Sequence, residues 1–369
     1  MPCGTVSCLT GLSELRSCAG DWDDLWSRSV ASSPTCRAEV LACWVERFAS
    51  DGEFRALVVE DQGRLLAALP LVPKRLGPLL IAGDLPVNDW SQCGDLLLDE
   101  ATDVDAVLRR LANGFEQLPW SLLWLDGARI ESSRWSQLER VFQEAGLAVF
   151  SEPRFNVGLL ETTTTLQDLE KSWSKNFRKD LRRSARRLSE QGQYELNLHT
   201  NIAQADVDSL FQRVLEVDQK TWKAQSGTAI EDSEGLAEYY RCQSRLLAEH
   251  GELVIALLEV EGQAIAYEFG WLAKSVYHSF KVGFDERFAK FAPGQFTMYL
   301  LIEKLLDRNL AETIDCIGPL SEATSRFRPG SYTVGRMLVA NQNLRGRAVL
   351  ASYKNLMPLV RRWRKRLAN

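Results

Sequence analysis

Apolar and polar positions recur with two different periods along this chain, and each change of period marks an element. Trp22, Leu25 and Trp26 share one short helical face and Val40, Leu41, Trp44, Val45 and Phe48 a second, with Ser33-Pro34 between them, so residues 10–50 read as helical. From Phe54 the period falls to two. Residues 56–60 form a strand, Asp61-Gln62-Gly63 a turn and 64–72 a second strand, which together make a hairpin. Pro73, Gly77, Pro78, Gly83 and Pro86 mark loops around a short strand at 79–81. Residues 96–98 are a short apolar run, 103–111 a helix, 121–125 a strand, 133–145 a helix stopped by Gly146, and 149–160 further strand material broken at Pro153.

In the second half, residues 165–192 carry an apolar stripe (Leu166, Leu169, Trp173, Phe177, Leu181, Leu188) among many lysines and arginines, which predicts one basic amphipathic helix or a pair. Its charges read either as a solvated face or as an anion-binding or membrane-facing one. A strand at 194–199, a helix at 205–222, a glycine-containing loop at 223–230 and a helix at 236–250 follow, then strands at 253–260, 263–271 and 275–283. In this last strand Val276, His278, Phe280 and Val282 alternate with Tyr277, Ser279 and Lys281, and Gly283 interrupts the pattern. Met298, Leu301, Ile302, Leu305 and Leu306 then define a helix that Pro293 suits at its entry and that Gln295 or Thr297 caps. Backbone N–H groups at such a helix start, beside a glycine, suit a phosphate or pyrophosphate; the competing reading is an ordinary turn in a buried strand–helix unit. Strands at 312–317 and 336–340 and a basic helical tail at 356–367 complete an α+β pattern. Residues 57–70 and 257–270 echo each other as strand, acidic-Gly turn, strand, with Gly63 and Gly262 at matching places.

At 369 residues the chain suits two ordinary domains or one large one, and 45% hydrophobic with 25% charged residues is a globular balance. No apolar run reaches the roughly 18–20 residues that span a bilayer, and the N-terminus is a poor signal peptide. The eight cysteines are scattered without a CxxC and there are three histidines, so no metal site is expected; reduced thiols and a cytoplasmic location are. Residues 1–165 hold 14 Lys+Arg and 24 Asp+Glu, net −10, whereas 166–369 hold 30 and 25, net +5. The second half is thus the expected partner of an anionic ligand or a membrane surface. The acidic overall pI of about 5.5 and the lack of a binding motif argue against sequence-specific nucleic acid.

Several blocks carry a family resemblance: KNFRKDLRRSARRL (175–188), DQKTWKAQSGTAI (218–230), LLEVEGQAIAYEFGW (257–271), YHSFKVGFDERFAKFAPGQ (277–295) and LLIEKLLDRNLAETIDCIG (300–318). In this order they resemble the acyltransferase domain of the GNAT superfamily, in the branch of the FemAB peptidyltransferases and the CelD-like proteins of cellulose or exopolysaccharide biosynthesis. DWDDLWSRS and the 57–72 hairpin resemble the degenerate first copy of such tandem proteins. The resemblance implies a tandem GNAT-like, FemAB-like fold of mixed, mostly antiparallel sheets flanked by helices. Its divisions would be an N-terminal degenerate domain at 1–160, an acyltransferase domain at 161–345 and a basic tail at 346–369.

It also implies transfer of an acyl group from acyl-CoA (acetyl or longer) to an amine or hydroxyl, with a small-molecule or saccharide acceptor. The alternatives are an aminoacyl-tRNA-dependent transferase and a non-catalytic scaffold of a polysaccharide-synthesis complex. The basic helices imply peripheral contact at the inner membrane face. The donor would lie against Lys281, Val282, Gly283 and Phe284 of the strand and Ala292, Gly294, Gln295, Phe296 and Thr297 of the loop and helix start. The family's loop signature usually has two glycines; here it reads Lys290-Phe291-Ala292-Pro293-Gly294-Gln295, with one. Candidate bases are Glu268, in an apolar strand between Tyr267 and Phe269 where its pKa would rise, Asp315 at a strand end, and His278. Their competing readings are a solvated Glu, a turn carboxylate and a core histidine. Tyr277 and Tyr299 are candidate proton donors to the leaving thiolate. Arg178, Trp222, Lys223 and Arg326 are candidate acceptor contacts, with core packing the alternative for Trp222.

Overall fold

The computed structural model describes residues 4–49, 53–78, 80–341 and 350–353. The tail at 356–367 lies outside the described residues. Two compact units divide the chain. Unit 1 takes the residues up to Ala31, Thr35–Arg154 and those from Thr333 on; unit 2 takes Ser32–Pro34 and Phe155–Tyr332.

Unit 1 opens with β1 (Thr5–Thr10), α1 (Leu12–Ser17), α2 (Ala19–Arg28) and α3 (Ala38–Phe48). The hairpin β2 (Arg55–Asp61) and β3 (Arg64–Arg75) follows, then β4 (Ile81–Asp84), β5 (Leu97–Leu98), α4 (Val104–Asn113), β6 (Leu122–Ala128) and α5 (Ser133–Glu144). The short strand thus begins at Ile81 rather than at 79, a position outside the described residues. Strand β7 (Leu147–Glu161) carries the chain into unit 2 and runs through Pro153 unbroken. Proline's fixed φ fits an extended strand and removes only an N–H, and Pro153 is exposed.

Unit 2 continues with α6 (Leu166–Ser172), α7 (Lys175–Ser189), β8 (Tyr194–His199), α8 (Gln204–Asp218), α9 (Trp222–Gln225), α10 (Leu236–Glu249), β9 (Leu253–Val260), β10 (Gln263–Ala273) and β11 (Val276–Phe284). After a 3-10 turn at Glu286–Phe291 come α11 (Pro293–Asp307), β12 (Thr313–Pro319) and α12 (Glu322–Ser325). Strand β13 (Gly330–Asn341) returns to unit 1, where it pairs with β6.

The sheet of unit 2 runs β7-β12-β11-β10-β9-β8, all antiparallel except β12 beside β11. One face is covered by α7 and α11, whose stripes (Phe177, Leu181, Leu188; Leu301, Ile302, Leu305) join one apolar core with Ala256, Leu258 and Ile314. Helices α8 and α10 pack on the other side through Phe211 and Tyr240, whose rings meet Phe269 at 5.6 and 6.1 Å. The helix read at 205–222 ends at Asp218 because the Asp218 carboxylate is drawn inward, accepting from Tyr267 Oη at 2.7 Å and from the Ile230 N–H at 2.7 Å.

In unit 1 the order is β1-β2-β3-β4-β6-β13, with β5 on β3 and β4 parallel to β6. Its core gathers Leu57, Leu69, Leu108, Trp135, Phe142 and Met337. A charged network is built into it. Lys74 pairs with Asp84 and stands 3.2 Å from Asp126, and Arg336 forks onto both Asp126 oxygens at 2.8 and 2.6 Å. Burial pushes the Asp84 carboxyl up to about 6, against the pull of Lys74.

Candidate active site

Strands β11 and β12 pair in parallel over three positions only, Val276 with Thr313, Tyr277 with Ile314 and His278 with Asp315, and then part. The cause lies in β12. Its register against β7 breaks between Asp315 and Pro319, and Ile317 is held at φ 52, a conformation that a β-branched side chain resists. Asp315 fixes this bend: its carboxylate accepts the Ile317 N–H at 2.9 Å and the Tyr332 hydroxyl at 3.0 Å to each oxygen. Of the two readings of Asp315, the turn carboxylate is the one its hydrogen bonds describe. Where the strands part, a cavity of about 510 Å³ opens between Ser279, Phe280, Val282, Gly283 and Phe284 on one side and Cys316 on the other.

Glu268, 2% exposed, forms part of the cavity wall. What surrounds it is set by a β-bulge. Up to Phe269 opposite Lys281, β10 and β11 pair in one register; from Gly270 opposite Ser279 the register has slipped by one, leaving Phe280 as the extra residue. Side chains alternate faces, so this slip exchanges the two sets. In an unbroken register His278 and Phe280 would share the face of Glu268. With the bulge, Ser279 and Tyr277 take that face, and His278 and Phe280 turn to Trp271, their rings 6.4 and 4.6 Å from its own. Gly270 permits the slip, because a Cβ there would collide with the His278 carbonyl oxygen. Ser279 Oγ donates to Glu268 Oε2 at 2.8 Å and Tyr277 Oη at 3.3 Å. Burial outweighs these bonds and pushes the Glu268 carboxyl up to about 7. Burial, with Glu268 and Asp315 nearby, pushes the Cys316 thiol up to about 12, so it stays protonated.

Lys223, Trp222 and Thr221 form the rim above β11. Lys223 Nζ donates to the Val282 carbonyl at 2.8 Å and stands 3.4 Å from Asp218, which ties α9 to the strand. Trp222 is 58% exposed, so core packing is not its role; Val282, also in the lining, is 48% exposed. At the other end α11 begins at Pro293 with Ala292, at φ 50, as its N-cap and no side-chain capping bond. Neither Gln295 nor Thr297 caps it, since the helix starts earlier than its apolar stripe indicates. A Cβ on Gly294 would meet only Phe284 ring carbons at 3.4 and 3.7 Å, so neither packing nor backbone demands glycine there. At Gly283 packing does demand it, because a Cβ would sit 2.6 Å from a Tyr267 ring carbon and 3.0 Å from Thr221 Cγ2.

Of the donor residues expected from sequence, Val282, Gly283, Phe284, Ala292, Gly294 and Gln295 line the cavity. Phe296 is in the core, Thr297 is buried, and Lys281 places its ammonium 4.8 Å from the Phe280 ring, so these three do not line it. Among the expected acceptor contacts, Trp222 and Lys223 line it, whereas Arg178 and Arg326 do not. His278, 1% exposed, lies outside the lining. Tyr299 Oη donates to Glu170 at 3.0 Å, away from the cavity. Ser279, Phe280 and Cys316 were not legible as site residues; for Ser279 the one trace is Gly270, and it needs the partner strand to be read.

Residues 175–334 match the family model described as Acetyltransferase (GNAT) domain. No curated protein matches the chain significantly in sequence. Among solved structures, it is similar to FemX, 10% identical over 87% of this chain and 95% of that one, with a TM-score of 0.61. It is also similar to the C-terminal domain of a putative lysylphosphatidylglycerol synthetase from Agrobacterium fabrum (13% identity, 93% and 97% coverage, TM-score 0.53). A conserved protein of unknown function from Bacteroides thetaiotaomicron is a third (16%, 87% and 97%, 0.53). At these identities the likeness is one of fold, and it spans both units. The cleft between β11 and β12, with Glu268 in its wall, lies within the segment matched by the GNAT acetyltransferase domain.

Proposed function

We propose that unit 2 transfers an acyl group from an acyl-CoA thioester to an amine or hydroxyl, with Glu268 as the general base. The observation that carries this reading is a carboxyl with its pKa near 7 in the wall of a cleft opened by two parting strands. A donor arm laid along β11 would find backbone groups of Ser279–Phe284 that β12 no longer pairs. There the same N–H groups suit the oxyanion of the tetrahedral intermediate. Glu268 takes the proton of the attacking nucleophile, oriented by the donors Ser279 and Tyr277. We read the transfer as direct, with coenzyme A leaving as its thiolate: among the described residues Cys316 is the one thiol lining the cleft, and burial keeps it protonated. The exposed Trp222 ring at the rim supports an acceptor with a flat apolar face, such as a saccharide ring.

Turnover of acetyl-CoA and longer acyl-CoAs with panels of amines and saccharides tests the reading. Glu268→Gln should lower kcat by about 100-fold or more with donor affinity kept. No thermal stabilisation of the wild type by any acyl-CoA sinks it.

A second reading, an aminoacyl-tRNA donor, draws on the exposed cations of α7, among them Lys175, Lys179, Arg182 and Arg186.

A further inference from the structure

Helix α7 puts seven cations and one carboxylate into 15 residues. Four of the cations, Lys175, Lys179, Arg182 and Arg186, recur at i, i+4, i+7 and i+11. The buried stripe of Phe177, Leu181, Ser184 and Leu188 repeats that spacing two residues later, so at about 100° per residue the two stripes lie on nearly opposite sides of the helix. All four cations are exposed, along about 16 Å of helix. Solvated helix faces gain support by pairing their charges, as α4, α5 and α10 do here: Arg109 and Arg140 share Asp105 and Glu144, and Arg245 pairs with Asp208. In the α7 stripe Arg186 meets Glu190 at 3.7 Å, whereas Lys175, Lys179 and Arg182 have no carboxylate within 4 Å among the described residues. Helix stability does not account for the stripe either. The first turn carries Lys175 and Arg178 and no acidic residue, at the end where the macrodipole favours anions.

We propose that this face docks unit 2 on an anionic lipid surface. The apolar stripe is committed to the core of unit 2, so the helix lies on the headgroups and does not insert. Each cation held near such a surface strengthens partition by about fivefold, and four in a row give a reversible, salt-sensitive association. A bilayer fits this face better than RNA. The exposed large apolar residues are Val30, Ile81, Trp222 and Val282, none of them on α7, so the stripe has no ring on which bases stack. The same helix borders the cleft, because Arg183 and Arg187 line a small pocket that shares Ala292 and Gln295 with it. On the acyl-transfer reading, docking brings the cleft to substrates held at that surface; the docking itself does not depend on that reading.

The test sediments the full chain with vesicles of phosphatidylcholine alone and of an equal mixture with phosphatidylglycerol. Three proteins are compared: wild type, Lys175→Gln/Lys179→Gln/Arg182→Gln, and the charge-keeping Lys175→Arg/Lys179→Arg/Arg182→Lys. The three side chains are exposed, so the fold is expected to survive, and circular dichroism checks it. If the neutral variant loses its spectrum, Lys179→Gln alone carries the test with a loss of about fivefold. Wild type should bind the mixed vesicles and not phosphatidylcholine, less tightly as salt rises. The neutral variant should bind roughly 100-fold more weakly, and the charge-keeping variant as wild type does, since a diffuse surface reads charge and not fork geometry. No binding to the mixed vesicles, equal binding to both vesicles, or equal binding by wild type and the neutral variant overturns the proposal. So does a loss in the charge-keeping variant equal to that in the neutral one. A tRNA acceptor-stem minihelix that wild type binds and the neutral variant does not, with vesicle binding the same in both, assigns the stripe to RNA and also overturns it.

Discussion

Ser279 and Glu268 face each other, Oγ to Oε2 at 2.8 Å, because a single extra residue, Phe280, slips the register of β11 between them and the end of the strand. The hydroxyl donates to the charged carboxylate and so holds its pKa down against burial. The general base proposed for Glu268 acts in its ionised form, so on that proposal activity should rise as pH passes about 7 and then level off. Ser279→Ala removes a donor, and the rising limb should move to higher pH. A pH–rate profile checks both; a limb that stays in place in the variant separates the serine from the base.

The same burial has a cost in stability, with a definite sign. The Glu268 pKa is raised in the folded state from 4.5 to about 7, so the fold binds this proton more tightly than the unfolded chain. Folding is unpenalised below about 4.5, loses stability between about 4.5 and 7, and carries the full penalty above. Glu268→Gln removes that penalty. Its stability relative to wild type should increase with pH by on the order of 3 kcal/mol and then stay constant. Urea unfolding of both proteins at pH 5 and pH 8 measures this, and a difference that does not grow with pH contradicts it.

Two glycines of the cleft should respond differently to the same change. Gly283→Ala drives a methyl against Tyr267 and Thr221 and should destabilise by about 1–3 kcal/mol. Gly294→Ala makes only ordinary contact with the Phe284 ring and should leave the melting temperature within a degree or two of wild type while weakening acyl-CoA binding. Thermal melts with and without acyl-CoA separate the two effects; equal losses in stability would contradict the difference in packing.

In unit 1, Arg336 is the partner that keeps Asp126 charged at low cost: its guanidinium holds the carboxylate below the usual range despite burial. Arg336→Met leaves that charge with Lys74 and the Trp124 indole N–H, each 3.2 Å from Oδ2, and should destabilise by about 3–5 kcal/mol. Arg336→Lys should recover part of it without the bidentate geometry. Chemical denaturation of the two variants orders them, and equal stabilities would mean the fork contributes nothing.

The apolar stripes of α7 and α11 were legible because a helix buries one face whatever its neighbours are, and each stripe joins the core of unit 2. The β9–β10 hairpin was legible from its acidic-Gly turn and alternation. The faces of β11 were not, because a period of two says nothing of a residue skipped by the partner strand. His278 and Ser279 therefore exchange places relative to the plain alternation. Trp222 in sequence resembles any core tryptophan. Only the end of α8 at Asp218, set by hydrogen bonds to Tyr267 and Ile230, brings it to the rim. Asp315 at a strand end reads in sequence as a base or as a turn carboxylate, and the partners that describe it as the latter, the Ile317 N–H and the Tyr332 hydroxyl, come from a backbone bend and a distant strand that no local pattern announces.

The early end of the β11–β12 ladder gives this protein something most sheets avoid: an interior edge. Beyond His278 the strand offers to any extended chain the same row of donors and acceptors that makes edge strands prone to self-association. A donor that covers it would act as a missing strand, favouring the folded population by mass action. The amount of intact protein in a cell would then follow its supply of donor, and a chain starved of donor would be the one most exposed to aggregation and to proteolysis.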